Sequence, residues 1–189
     1  MLQAFVFNEV AVVVRHWYEV GQHEEEHGAR IEVVRRIRRP HHGSPSSSQV
    51  IELDNRIIWR ADLFDLIGDE PGNMKRAHHH IRFEGDGSQP FGRDWDEHLS
   101  EDPFGWTQKR LSDLNALAAA SGVESVGLEA DAEDIRRNLP AIMSVVRSCS
   151  PERCVSNEQC RQQTRDANEI VQMKVNRCRD DRRDPRLVE

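Results

Sequence analysis

The residue types best suited to chemistry in this 189-residue chain are three consecutive histidines within an alternating stretch, residues 76–84. On an extended strand, successive side chains point to opposite faces. His78, His80 and Arg82 are therefore predicted to share one face. His79 is predicted to lie on the other face, together with the apolar residues that follow it. The first face presents two imidazoles and a guanidinium in a row, and it is the leading candidate site.

Such a row suits the cleavage of a phosphate ester without a metal, which needs a base, an acid and a cation beside the developing charge. Alternate residues on one strand face stand about 6–7 Å apart, a distance that suits groups flanking a phosphate. The hypothesis makes His78 and His80 the acid–base pair and Arg82 the phosphate clamp, and it requires the helices to cover the opposite face. Four more arginines would widen the anion-binding surface if their strands lie alongside: Arg36, Arg38, Arg56 and Arg60.

Three other interpretations of the same histidines are open. They form a solvated edge, or a packed polar cluster under the helices, or a metal site in which His78 and His80 join a carboxylate such as Asp62 or Asp65. The last interpretation predicts a metal-dependent hydrolase, with zinc or manganese as the ion. The leading hypothesis needs no cofactor.

A second histidine pair, His23 and His27, carries the letters H-E-x-x-H and so resembles the zincin metalloprotease motif. In that family the two histidines lie one helical turn apart and bind zinc, and the glutamate activates water. Here Gly21 and Gly28 bracket the five residues, and strand-like sequence flanks them. The context favours a solvated hairpin turn, with His23 and His27 as weak metal ligands only.

Composition limits the class of protein. The net charge of -7 argues against a protein that coats nucleic acid generally. The longest apolar run, residues 10–14, is far shorter than the roughly 20 residues of a membrane-spanning helix, and the first residues lack the basic start of a signal peptide. We therefore expect a cytoplasmic protein with no membrane partner. The four cysteines all follow residue 148 without a C-x-x-C pair, so we expect ordinary thiols.

The order of patterns predicts an α+β fold. Residues 1–88 alternate as strands do, and residues 103–149 carry apolar residues at helical spacing. We predict a mainly antiparallel β-meander sheet covered on one face by two or three C-terminal helices, in a single domain over residues 1–150. Within the sheet, Asp54-Asn55 is predicted to be the two-residue turn of a hairpin. Residues 151–189 are predicted to form a helical arm with a disordered tail.

Two classes of function follow. The leading hypothesis is a small protein that acts on RNA or another phosphate ester, as a metal-independent endoribonuclease with the histidine–arginine site. Its expected partner is RNA or a small phosphorylated ligand. The alternative is a non-catalytic module that binds a protein partner, or a second copy of itself, through residues 152–178.

Overall fold

The protein, described here from a computed structural model, has a meander of strands followed by a group of helices. The structure describes residues 1–20, 25–37, 39–40, 43–44, 51–67, 69–70, 72–84, 89–124 and 127–149. The helical arm predicted for residues 151–189 lies outside these ranges, as does the interaction surface predicted within it, and both stay predictions.

Five strands form one antiparallel sheet in chain order. They are β1 (Leu2–Val6), β2 (Val10–Val20), β3 (Glu25–Ile37), β4 (Glu52–Leu66) and β5 (His78–His80). A separate two-stranded sheet pairs β6 (Phe83–Glu84) with β7 (Gln89–Pro90). The helices are α1 (Glu97–Glu101), α2 (Pro103–Ser112), α3 (Leu114–Ala120) and α4 (Glu129–Ser148). The predicted α+β fold with an antiparallel meander is confirmed.

The described part of the chain has four helices rather than two or three, because aspartates interrupt the helical sequence. The side chain of Asp102 accepts the Gly105 N–H at the start of α2, and that of Asp113 accepts the Ala116 N–H at the start of α3. An aspartate that caps the start of a helix satisfies a backbone donor that the helix itself leaves unpaired. Asp113 therefore divides what the apolar spacing alone predicts to be one helix.

The predicted hairpin turn at Asp54-Asn55 is wrong, because β4 runs without a reversal from Glu52 to Leu66. The turn-forming residues instead disturb the pairing of β4 with β3, whose register shifts between Val34 and Arg36. The Asp54 carboxylate accepts the N–H of Arg56 at 3.1 Å, a local hydrogen bond typical of turns. The turn chemistry thus produces a β-bulge within a long strand.

The core lies between one face of the sheet and the helices. Alternate residues of the central strands supply it, among them Val12, Ile31 and Ala61, all fully buried. Trp59 of β4 stacks on Trp106 of α2, with ring centroids 6.1 Å apart. Burial of each large apolar side chain is worth about 1.5–3 kcal/mol, which favours the packing of the helices on this face.

A second link between sheet and helices is polar. Asp131, in the first turn of α4, is fully buried. Its carboxylate accepts the backbone N–H groups of Asn8, Glu9 and Val10 at 3.0, 2.7 and 3.0 Å. One side chain therefore ties the start of α4 to the β1–β2 connection.

The opposite face of the sheet is apolar at one end and charged at the other. Ala11, Val13 and Val34 form a small apolar cluster there. Further along, β3 and β4 place Arg30 and Asp62 on this face, both buried. None of the helices in the described ranges is long and apolar enough to span a bilayer.

Candidate functional site

The pairing of β4 with β5 brings two histidines and one carboxylate together. Asp62 lies directly opposite His78 in the ladder, and His80 lies two residues further along the same face. Nε2 of His78 is 3.5 Å from Oδ2 of Asp62, and Nε2 of His80 is 3.4 Å from the same oxygen. Each residue offers a ligand atom within 4.8 Å of the others, so the three can bind one metal ion.

His79 points the other way, toward the helices. It pairs with Ala61 in the ladder, and its ring centroid is 4.9 Å from that of Trp106 in α2. The helices therefore cover the face that His79 shares with the core. His78 and His80 face away from them, an arrangement that the sequence-based site hypothesis requires.

The cluster is almost fully buried, with exposed fractions of 1% for Asp62, 1% for His78 and 4% for His80. Burial lowers the pKa of His78 to about 4, although the Asp62 charge and the Arg76 carbonyl act in the opposite direction. The imidazole of His78 is therefore neutral at neutral pH, which is the form that binds metals.

The far nitrogen of each imidazole contacts a backbone carbonyl. Nδ1 of His78 lies 2.7 Å from the Arg76 carbonyl oxygen, and Nδ1 of His80 contacts the carbonyl of Gly92. Because a carbonyl only accepts hydrogen bonds, each Nδ1 carries a hydrogen and donates it. In the neutral ring of His78, Nε2 then carries the lone pair and faces Asp62. Metal-binding histidines are typically oriented in this way by a hydrogen bond from their second nitrogen.

Arg30 of β3 orients the carboxylate. Its Nε donates to Oδ1 of Asp62 at 2.7 Å, and its Nη2 donates to Oδ2 at 3.0 Å. Burial by itself would raise the pKa of Asp62, but the hydrogen bond from His80 and the charge of Arg30 outweigh burial and hold that pKa below its ordinary value. The guanidinium also stacks 4.1 Å from the ring centroid of Trp17. Asp62 is therefore ionised, with Oδ2 directed toward both histidines.

A cavity of about 350 Å³ opens beside the cluster. It is lined by Trp17, Glu19, Arg30, Arg60, Asp62, His78, His80, Pro90, Gly92 and Arg93. Ion pairs on this face join five arginines (Arg15, Arg30, Arg60, Arg76 and Arg93) to four carboxylates (Glu19, Glu26, Glu32 and Asp62). Among the described residues, these ion pairs thus contain one more positive than negative group.

The structure does not bring Arg82 into this cavity. β5 ends at His80, so the alternation stops two residues short of Arg82. The Arg82 side chain is 64% exposed and lies 3.7 Å from Asp94. Asp65 is also outside the cluster, since its carboxylate accepts the backbone N–H groups of Gly72 and Met74.

The other arginines that were predicted to bind an anion have different surroundings in the structure. Arg60 lines the cavity and donates through Nε to Glu32 at 2.9 Å. Arg36 donates to the carbonyl of Phe7 at 3.1 Å, and Arg56 is exposed on β4. Arg38 lies outside the described residues. Of the three that the structure describes, Arg60 alone is among the residues that line this cavity.

The zincin resemblance does not extend to the structure. His27 lies in β3 rather than on a helix, and it is buried opposite Asp65. The expectation of a solvated turn is also wrong for residues 25–28, which pair as strand. Burial lowers the pKa of His27. His23 lies outside the described residues.

Sequence reasoning missed Arg30, Glu19 and Arg93 as members of the site. The alternation along β3 contained a usable signal, because Arg30 and Glu32 are polar positions on the face opposite Ile31. Arg93 follows the short β7 strand and is brought in by backbone pairing of Asp94 with His79, which no local pattern shows.

Comparison with known protein families, with curated proteins and with solved structures finds no match to this chain. Its function is therefore argued from the geometry alone.

Proposed function

We propose that the protein is a metal-dependent hydrolase in which Asp62, His78 and His80 hold one divalent ion. The observation that carries the proposal is the direction of the three ligand atoms. Two imidazole nitrogens whose rings are fixed by backbone carbonyls converge on one ionised carboxylate oxygen. A lone pair on Nε2 and a carboxylate oxygen at this distance repel one another unless a metal ion or a proton lies between them.

The donor set suits particular ions. Two histidines and one carboxylate match zinc, manganese and iron(II), and they leave coordination positions for water or substrate. An ion held by Asp62, His78 and His80 would lower the pKa of a water molecule and so would supply the nucleophile for hydrolysis near neutral pH. The chain itself orients the ligands, Asp62 through Arg30 and the two histidines through backbone carbonyls, and it provides a charged cavity for the substrate.

The metal-independent ribonuclease hypothesis fits this geometry less well. A general acid works best with a pKa near the working pH, whereas the pKa of His78 is about 4. Both imidazoles are also directed at the same Asp62 oxygen, rather than at two sides of a space that a phosphate could fill. The charge and donor arrangement therefore support a metal site over an acid–base pair.

The test is metal binding followed by activity. Chelator-treated protein is titrated with Zn²⁺ and Mn²⁺ by calorimetry, for the wild type, for the His78→Ala/His80→Ala double variant, and for the control His98→Ala, whose side chain is exposed on α1. We expect one ion per chain for the wild type and control, and a loss of at least about a hundredfold in affinity for the double variant.

Hydrolysis is then measured on p-nitrophenyl phosphate, bis(p-nitrophenyl) phosphate and a generic RNA. We expect EDTA to abolish the activity and the bound ion to restore it. Failure to bind a stoichiometric ion would overturn the proposal. RNA cleavage that persists undiminished in EDTA would overturn it in favour of the histidine acid–base mechanism.

A further inference from the structure

We infer that the cavity holds a binding site for a small oxyanion between Arg30 and Arg93, at the position where the Glu19 carboxylate lies in this structure. The oxyanion is the carboxylate or phosphate group of a small molecule. That this molecule is the substrate rests on the proposed function, whereas the binding itself does not.

Glu19 bridges the two arginines weakly. Its Oε2 accepts from Nη2 of Arg30 and its Oε1 accepts from Nη2 of Arg93, both at 3.3 Å. The Glu19 side chain is 41% exposed, at the mouth of the cavity. Because the Glu19 carboxylate is open to solvent and both of its hydrogen bonds are long, this bridge is weaker than the buried pairs of the same arginines. An external carboxylate or phosphate can therefore replace Glu19 at small cost.

Both arginines are held in place by other, more buried partners. Arg30 is fixed by its two hydrogen bonds to Asp62. Nη1 of Arg93 donates to Oε1 of Glu26 at 3.0 Å, and Glu26 is buried. Removal of Glu19 consequently leaves two preorganised guanidinium groups, which suit the geometry of carboxylates and phosphates.

The balance of charge favours the replacement of Glu19 by an external oxyanion. With Glu19 displaced, the five arginines of these described ion pairs oppose three carboxylates, and a divalent ion at Asp62 would increase the positive excess further. An incoming oxyanion restores the balance. The same anion would lie beside the ion-binding cluster, because Arg30 contacts Asp62 directly.

The size of the cavity limits the occupant. Its volume of about 350 Å³ is near the lower end of the range for small-molecule sites. Trp17 and Pro90 provide apolar walls for the uncharged part of the molecule. The site therefore suits a compact carboxylic acid or phosphate monoester better than a polynucleotide.

The test uses inorganic phosphate and acetate as probes, with binding measured by calorimetry on the full chain, both in EDTA and with the divalent ion bound. Glu19→Gln should tighten binding by about fivefold, because it removes a weak internal competitor. Arg93→Gln should weaken binding by about tenfold or more, through the loss of charge-assisted hydrogen bonds. Arg136→Gln, at an exposed position on α4, serves as the charge-matched control and should change neither the phosphate nor the acetate affinity. The ratio of the phosphate and acetate affinities then shows whether the site prefers a phosphate or a carboxylate group.

The outcomes separate this inference from the proposed function. Suppose that anion binding tightens in Glu19→Gln and weakens in Arg93→Gln, but that the protein binds no metal. This result would support the oxyanion site and overturn the metal-dependent activity. A protein that binds metal, but whose phosphate and acetate affinities are unchanged by both substitutions, would overturn the oxyanion site alone. Tighter binding of a single-stranded RNA than of phosphate, lost in Arg82→Gln and kept in Arg93→Gln, would also overturn it.

Discussion

Arg30 and Asp62 form a bidentate ion pair across neighbouring strands, with Nε 2.7 Å from Oδ1 and Nη2 3.0 Å from Oδ2. Their side chains are 7% and 1% exposed. A buried pair of this kind costs desolvation energy to form, but loss of one member leaves the other charge uncompensated. The pair therefore couples the stability of the sheet to the orientation of the carboxylate that the site requires.

The first prediction concerns this coupling. Arg30→Met and Asp62→Asn should each lower the free energy of unfolding by about 3 kcal/mol, because each leaves a buried partner unpaired. The double variant should cost clearly less than the sum, since neither charge is then buried alone. Urea denaturation in EDTA measures all three.

The control for this cycle is the exposed pair of Arg136 and Glu133 on α4, 3.1 Å apart. Arg136→Met and Glu133→Gln should each change stability by less than about 0.5 kcal/mol and show little coupling. Additive effects of the Arg30 and Asp62 substitutions would contradict a buried, mutually dependent pair.

A second prediction concerns the pH dependence of stability. Burial, together with the charges of His27 and of the chain amino terminus, lowers the pKa of His16 to about 4. Burial also lowers the pKa of His27, although the charge of Asp65 acts in the opposite direction. Because the unfolded chain takes up a proton near pH 6.5 and the folded chain does not, stability should fall as the pH drops from about 6.5 to about 4. Above pH 6.5 this contribution is fully present.

The measurement for His16 is the free energy of unfolding as a function of pH, in the presence of EDTA. His16→Gln should reduce the slope between pH 6.5 and 4, whereas His98→Gln, on the exposed side of α1, should leave it unchanged. A wild-type curve that is flat in this window would contradict the burial of His16 in its neutral form.

The fold was largely predictable from sequence because its determinants are local. Strand alternation over residues 1–88 and helical spacing over residues 103–149 each reflect which face is buried. The same alternation separates His78 and His80 from His79. It fails at Arg82 because alternation holds only while the strand continues, and β5 ends at His80.

The partners of the histidines depend on register, which local patterns do not contain. Asp62 could be named as one of two carboxylates, but the choice between it and Asp65 depends on which β4 residue lies opposite His78. The place of Arg30 depends further on the pairing of β3 with β4, which shifts at the bulge near Asp54. A one-residue slip would send Arg30 to the other face.

A third prediction concerns Asp131, whose carboxylate accepts three backbone N–H groups from Asn8, Glu9 and Val10. Asp131→Ala should lower the free energy of unfolding by about 3 kcal/mol or more, because it leaves buried donors without an acceptor. Asp134→Ala, one turn later on α4 and less buried, is the matched control and should cost less than about 1 kcal/mol. Equal losses in the two variants would show that helix content, rather than the link to the β1–β2 connection, accounts for the effect.

The last prediction tests the backbone that carries Arg30. Gly28 has a φ of +153°, and a Cβ atom there would lie 2.1 Å from the Leu63 carbonyl oxygen and 3.1 Å from the Phe64 Cα, both backbone atoms of β4. Gly28→Ala should therefore destabilise the protein by about 3 kcal/mol, since β3 and β4 must move apart.

The control Gly122→Ala separates this clash from simple backbone strain. Gly122 has a φ of +67° with open space around it, so its substitution should cost only about 1 kcal/mol. Because Gly28 lies two residues before Arg30, Gly28→Ala should also weaken metal binding by chelator-treated protein, while Gly122→Ala should not. A Gly28→Ala protein as stable as Gly122→Ala would contradict the close approach of the two strands.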